Sequence, residues 1–195
     1  MSYTLTSTTT HETLIKRSRF VAHGAPCKDE TSARAFIDQV RDLTANHHCW
    51  AWKSGQLYRF DDDGEPGGTA GRPILQAIEG QDLDGVVVVV IRHFGGIKLG
   101  TGGLIRAYGG TAAECLRQAP VEPVVRMARL QCRLPFDAIA LAHQLFERHA
   151  ATKLEEHYVS DGIDLILELP ETHHDALIAD LNNATSGQAR IDISD

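Results

Sequence analysis

A chain of 195 residues that is 43% hydrophobic and 23% charged is long enough to bury one ordinary core or two small ones, and it carries no low-complexity tract. The net charge of −7 argues against indiscriminate binding of nucleic acid, because phosphate affinity follows cationic density. Val86–Ile91, the longest apolar run, is far too short for a bilayer, which takes roughly 20 residues, so no membrane partner is expected.

The opening stretch MSYTLTSTTTHE lacks a basic start followed by an apolar block, so no secretory signal is read there and a cytoplasmic location is expected. Phe20–Ala25 reads as a short strand. Thr31–Leu43 places Ala33, Phe36, Ile37 and Val40 at helical spacing, with Thr31 or Ser32 as its cap. Trp50–Phe60 reads as a hairpin turning at Ser54-Gly55. Asp61–Pro73, DDDGEPGGTAGRP, is an unbroken loop signal, and Pro73 suits the first turn of a short helix ending at Gly80. Val86–Phe94 is a strand apolar on both faces and so expected to be covered on both. Leu104–Ala119 follows as a helix that Pro120 and Pro123 close. Strands and helices mixed in this order give an α/β or α+β front domain.

A boundary is expected at Val121–Val125, giving domains over 1–123 and 124–195. In the second, Leu130, Cys132 and Leu134 alternate as a strand, and Phe136–His149 is an amphipathic helix. Leu154–Val159 turns through Ser160-Asp161-Gly162 into the alternating strand Ile163–Leu169. A helix over Asp175–Asn183 and a strand over Ile191–Ile193 complete a βαββαβ order, that of a ferredoxin-like unit.

Charge divides unevenly between the two. Up to Glu122 there are 13 basic and 14 acidic side chains; from Arg126 onward there are 6 and 12. No acid lies between Glu12 and Asp29 or between Asp84 and Glu114. Those gaps hold Lys16, Arg17, Arg19 and Lys28, then Arg92, Lys98 and Arg106.

The segment RHFGGIKLGTGGLIRAYGG, Arg92–Gly110, carries seven glycines and three fixed cations. It departs from GxxxxGK[ST], with Thr101 where the lysine belongs, and from GxGxxG. Two readings fit Gly95, Gly96, Gly100, Gly102 and Gly103: a cradle of backbone amides before a helix dipole, completed by Lys98, Thr101 and Arg106, or a sharp strand-to-helix turn. In the acidic loop, Asp62, Gly64, Glu65 and Gly68 are read as turn-forming, because Pro66 stands where a calcium loop needs glycine. The scattered cysteines, with no CxxC pair, fit reduced thiols rather than a disulfide framework or zinc site. Cys49 beside His48 is the only local nucleophile–base pair, and neighbours on a strand diverge. No catalytic residue, metal or cofactor is therefore assigned.

Taken together, DDDGEPGGTAGRPILQAIEG, the valine strand, RHFGGIKLGTGGLIRAYGG and the upstream KRSRF and HHCWAW resemble the YigZ/IMPACT family over about Lys16–Ala119. His93 departs from the aromatic usual in that family before Phe-Gly-Gly. The resemblance implies an α+β chain of two domains. The first is like the second domain of ribosomal protein S5; the second is ferredoxin-like and similar to the fifth domain of elongation factor G. It also implies a role around translation, since eukaryotic relatives regulate a stress-response kinase by competing for its activating partner. The reading that follows is a non-enzymatic regulator or accessory factor whose partner is RNA, the ribosome or a translation-associated protein. Lys16, Arg17, Arg19, Arg92, Lys98, Thr101 and Arg106 are its expected contacts; sequence-specific DNA binding is not expected. The competing reading is an enzyme on a small phosphorylated or nucleotide ligand, with Asp62 and Glu65 placing a divalent ion beside Lys98 and Thr101.

Overall fold

The computed structural model describes residues 2–192, and the chain divides into two compact units meeting at Val124 and Val125. In the front unit, β1 (Tyr3–Leu5) pairs with β7 (Val121–Pro123) as a small antiparallel ribbon. The main sheet holds β2 (Thr9–Ile15), β3 (Ser18–Pro26), β4 (His47–Ser54), β5 (Leu57–Asp61) and β6 (Val86–His93) in the order β2-β3-β6-β4-β5. All neighbours are antiparallel. β6 lies between β3 and β4, which are joined by α1 (Glu30–Gln39).

The valine run explains the layers. Successive side chains on a strand point to opposite faces. Val86, Val88 and Val90 accordingly join Phe20, Ala22, Cys49 and Ala51 under α2 (Gly71–Glu79) and α3 (Thr101–Arg117). Val87, Val89 and Ile91 join Trp52 beneath Ala33 and Phe36 of α1. Every residue of β6 from Val86 to Ile91 is buried, so the expectation of cover on both faces holds. Gly109 of α3 lets the two helices close up, since a Cβ there would stand 3.3 Å from Pro73 of α2.

Helix boundaries differ from expectation in several places: α1 ends at Gln39 rather than Leu43, the helix expected from Phe136 opens with a 3-10 turn over Phe136–Ala138, and two starts differ for reasons visible in the structure. α1 is capped by Asp29, not by Thr31 or Ser32. The Asp29 carboxylate accepts from the Ser32 amide at 2.8 Å, and the Ser32 hydroxyl accepts from the Asp29 amide, a reciprocal capping box. α3 starts at Thr101 rather than Leu104, which puts Gly102 and Gly103 inside a helix.

The back unit carries β8 (Met127–Pro135), α4 (Ile139–Arg148), β9 (Thr152–Val159), β10 (Gly162–Pro170), α5 (His174–Ala184) and β11 (Arg190–Asp192). Its sheet order β11-β8-β10-β9 is that of a ferredoxin-like unit, antiparallel throughout. Leu130, Cys132 and Leu134 and the alternating Ile163–Leu169 set form its core with Leu145, Phe146, Leu177 and Leu181. Of the strand expected over Ile191–Ile193, Ile193 lies outside the described residues. No helix among the described residues is long and apolar enough to cross a membrane.

All four cysteines are free and buried. Burial raises the Cys27 and Cys132 thiols from 9.0 to about 12 and Cys115 to about 11, and pushes Cys49 higher still. None is then a thiolate at neutral pH, and none should react with a water-soluble disulfide reagent at pH 8 until denaturant is added. Because folded thiols hold protons that the unfolded chain releases above about pH 9, stability should fall as pH rises from 9 toward 12. Fast labelling of any thiol in the native protein would contradict this packing.

Candidate functional site

The glycine loop leaves β6 under two constraints. At Gly95 a Cβ would stand 2.0 Å from the Arg17 carbonyl, so the backbone crosses the β2–β3 turn where only glycine fits. The Gly95 amide donates to Ser18 Oγ at 3.1 Å and the Phe94 amide to Asn46 Oδ1 at 2.8 Å. Gly96 and Gly100 have φ of +84° and +73°, which L side chains rarely adopt. Gly103 is needed for another reason: a Cβ would lie 2.9 Å from Leu99 Cβ, where the loop packs on the first helical turn. Gly102 meets only the end of Arg106.

The acidic loop is a set of helix and turn caps. Asp62 Oδ1 accepts from the amides of Ala70 (2.9 Å) and Gly71 (2.8 Å), and its Oδ2 from Gly68 (2.7 Å). This carboxylate, eight and nine residues upstream, satisfies the start of α2, which has no cap of its own from Ala70. Asp61 accepts from the Asp63 amide and Asp63 from the His48 amide. Asp62 thus bonds three backbone amides, a turn-forming role rather than the metal-placing one of the competing reading. Among the described residues no three His, Cys, Asp or Glu side chains gather as a metal-holding group.

Arg92 is the main correction. Expected as a phosphate contact on the surface, it is 5% exposed and its Nη1 lies 2.5 Å from Glu65 Oε1. Strand parity puts it there: Phe20, Arg92 and His47 stand opposite one another on three neighbouring strands, on the face that carries Val88 and Val90. The guanidinium lies 5.4 Å and 5.3 Å from the ring centres of Phe20 and Phe94. Tyr108 Oη donates to the same Glu65 oxygen at 2.7 Å, and burial pushes its phenol well above the usual range. His47 Nδ1 donates to the Asp63 carbonyl at 2.8 Å, turning Nε2 toward Glu65 Oε1 at 3.8 Å. Glu65 Oε1 is therefore engaged by both Arg92 and Tyr108.

Arg92, His47 and Phe94 line a cleft of about 490 Å³ to which both loops contribute, the acidic loop through Glu65 and Pro66 and the glycine loop through Lys98–Thr101. Lys98 and Thr101 are exposed at its rim. Arg106 is exposed one turn along α3, and Lys16 and Arg17 form the turn beneath Gly95, at φ of +45° and +68°. Arg19 is not with them: it faces the opposite side of the sheet from Phe20, beside His93 (2.9 Å) and Glu12 (3.5 Å). Tyr108, His47, Ser18 and Asn46 escape sequence reasoning as site residues. The polar Tyr108 on the buried stripe of an apolar helix is the one signal that could have raised it.

Comparison with known proteins adds lineage to this geometry. The Impact N-terminal domain model matches residues 16–116, and a domain of unknown function (DUF1949) matches 132–188. An "IMPACT family member in pol 5'region" of Thermus thermophilus is 49% identical over 158 residues, 80% of this chain and 87% of the relative. "IMPACT family member YigZ" of Escherichia coli is 42% identical over 127 residues, covering 60% of this chain and 62% of the relative. A crystal structure titled only as a hypothetical protein aligns with a TM-score of 0.75 at 30% identity, covering 100% and 97% of the two chains.

Proposed function

This chain belongs to the IMPACT family, and from that premise we propose that it is a non-enzymatic accessory or regulatory factor of translation that holds RNA at the glycine-loop cleft. One observation carries the reading. The cleft rim sets Lys98 and Thr101 at the start of a 17-residue helix that has no side-chain cap and no acid in its first turn. Amides and dipole there favour an anion. The back unit, with twice as many acids as bases from Arg126 onward, repels phosphate and suits a protein contact or a positioning role.

Bond-making finds less support. The metal-assisted alternative draws on Asp62 and Glu65, yet three backbone amides already bond Asp62, and Arg92 and Tyr108 already bond Glu65 Oε1. Cys49 holds its proton and donates to the Asp62 carbonyl at 3.0 Å.

Lys98→Glu with Arg106→Glu should weaken binding of a single-stranded RNA at least tenfold at low salt. It should also flatten the slope of log K against log salt by about 0.7 for each phosphate that is no longer neutralised. Both side chains are exposed, so the melting temperature should stay put. RNA binding that ignores salt, or is unchanged in the double variant, would overturn the reading.

A further inference from the structure

The floor of the cleft holds a cation with more donors than partners. Arg92 carries five N–H groups. Glu65 takes one through Nη1, Ser18 Oγ lies at 3.5 Å from Nη2, and the buried Nε has no hydrogen-bond partner among the described residues. Nε is itself sealed off, so a further acceptor entering the cleft that Arg92 lines would meet its Nη groups, where a charge-assisted bond is a strong one. Above it stand the Lys98 ammonium, the Thr101 hydroxyl and the opening turn of α3. The lining thus sets two cations, Arg92 and Lys98, against one carboxylate, Glu65. That carboxylate is already engaged through Oε1 by Arg92 and Tyr108.

The donors lie at two depths, and this limits the ligand. A phosphodiester inside a strand lying on the surface can reach exposed Lys98 and Thr101. To approach buried Arg92 the phosphate must enter the cleft ahead of the rest of its molecule, so it must be a chain end. A monoester also offers a second negative charge and an extra terminal oxygen for charge-assisted bonds. Phe94, 46% exposed and lining the same cleft, gives the attached base an aromatic ring to stack on. A volume of about 490 Å³ is within the ordinary range of small-ligand sites.

We propose that the cleft is a receptor for the terminal 5′-phosphate of a nucleotide, either the end of an RNA strand or a free nucleoside monophosphate. The proposal deepens the RNA-binding reading and, for the strand end, rests on it. It involves no covalent step.

The test measures the full chain against one RNA oligonucleotide carrying either a 5′-phosphate or a 5′-hydroxyl, and separately against AMP. The 5′-phosphorylated strand should bind at least about tenfold more tightly, the worth of one or two charge-assisted hydrogen bonds. In the exposed Lys98→Ala/Thr101→Ala variant that ratio should fall toward one, with the melting temperature held. Equal binding of the two strands together with saturable AMP binding that disappears in the variant supports the site and assigns it to free nucleotide. Equal strands and no AMP binding overturn the proposal. In that last case, salt-sensitive RNA binding leaves the broader function standing, while no RNA binding removes both.

Discussion

Glu65→Ala should destabilise the front unit by about 3–5 kcal/mol, the cost of leaving a buried charge without its partner. Both side chains of the pair are almost fully enclosed, at 6% exposure for Arg92 and 5% for Glu65, so the guanidinium loses its close carboxylate where little solvent screens it. The substitution also strips Tyr108 of its acceptor, adding a second buried polar group without a bond. Glu65→Gln should cost less, because an amide oxygen still accepts from Tyr108. Glu65→Leu combined with Arg92→Met should recover most of the stability, since removing both charges removes the desolvation problem too. Trp50 and Trp52 are the chain's only two tryptophans and both lie on β4, so fluorescence in a urea titration reports on this unit alone. A midpoint for Glu65→Ala within experimental error of the parent would show that the pair is solvated, and a cleft floored by a buried ion pair would then be wrong.

The same pair shows what the sequence conceals. Counting by twos from Val86 lands on Arg92, so its inward direction is implied by β6 itself. Composition points the other way, because cations are almost never fully buried unless paired, and the partner, Glu65, lies 27 residues away in a loop. Arg19 fails by the same parity, since it alternates with the buried Phe20. What periodicity governs is legible: the doubly covered valine strand, the hairpin over Trp50–Phe60, the alternating strands of the back unit. β1 and β2 are not, because Tyr3–Leu5 is only three residues long and Thr9–Ile15 is polar and half-buried. β2 is an edge strand, where pairing to β3 carries the order that an apolar pattern would otherwise announce. Pattern alone starts α3 three residues late because Gly102 and Gly103 disfavour a helix by about 1 kcal/mol each. Packing of Leu99 on Gly103 overrides that preference. That the two loops share one cleft depends on contacts far apart in the chain, which local pattern does not encode.

Asp62→Ala should rank next, at about 2–4 kcal/mol, because one carboxylate ties three amides together and two of them open α2. Loss of an ordinary helix cap costs roughly 0.5–2 kcal/mol, and here the Gly68 amide is stranded as well. Asp62→Asn keeps an oxygen for Ala70 and Gly71 but presents an NH2 group to Gly68, so its cost should fall between parent and alanine. Magnesium separates this role from metal binding. If Asp62 held a divalent ion, magnesium would stabilise the parent over its melt in EDTA, and the gain would vanish in Asp62→Ala. As a backbone cap, Asp62 should leave the difference between parent and variant the same in both buffers. The damage should also reach the cleft, because Glu65 follows Asp62 by three residues in the same loop and its amide donates to the Asp62 carbonyl at 2.9 Å. If the cleft holds RNA as proposed, Asp62→Ala should therefore weaken that binding although its carboxylate is bonded to backbone amides, and Lys98→Glu with Arg106→Glu should weaken it without moving the melt. A variant at Asp62 that melts like the parent yet no longer binds RNA would place the carboxylate in the site itself, and the division between scaffold and contact drawn from these hydrogen bonds would fail.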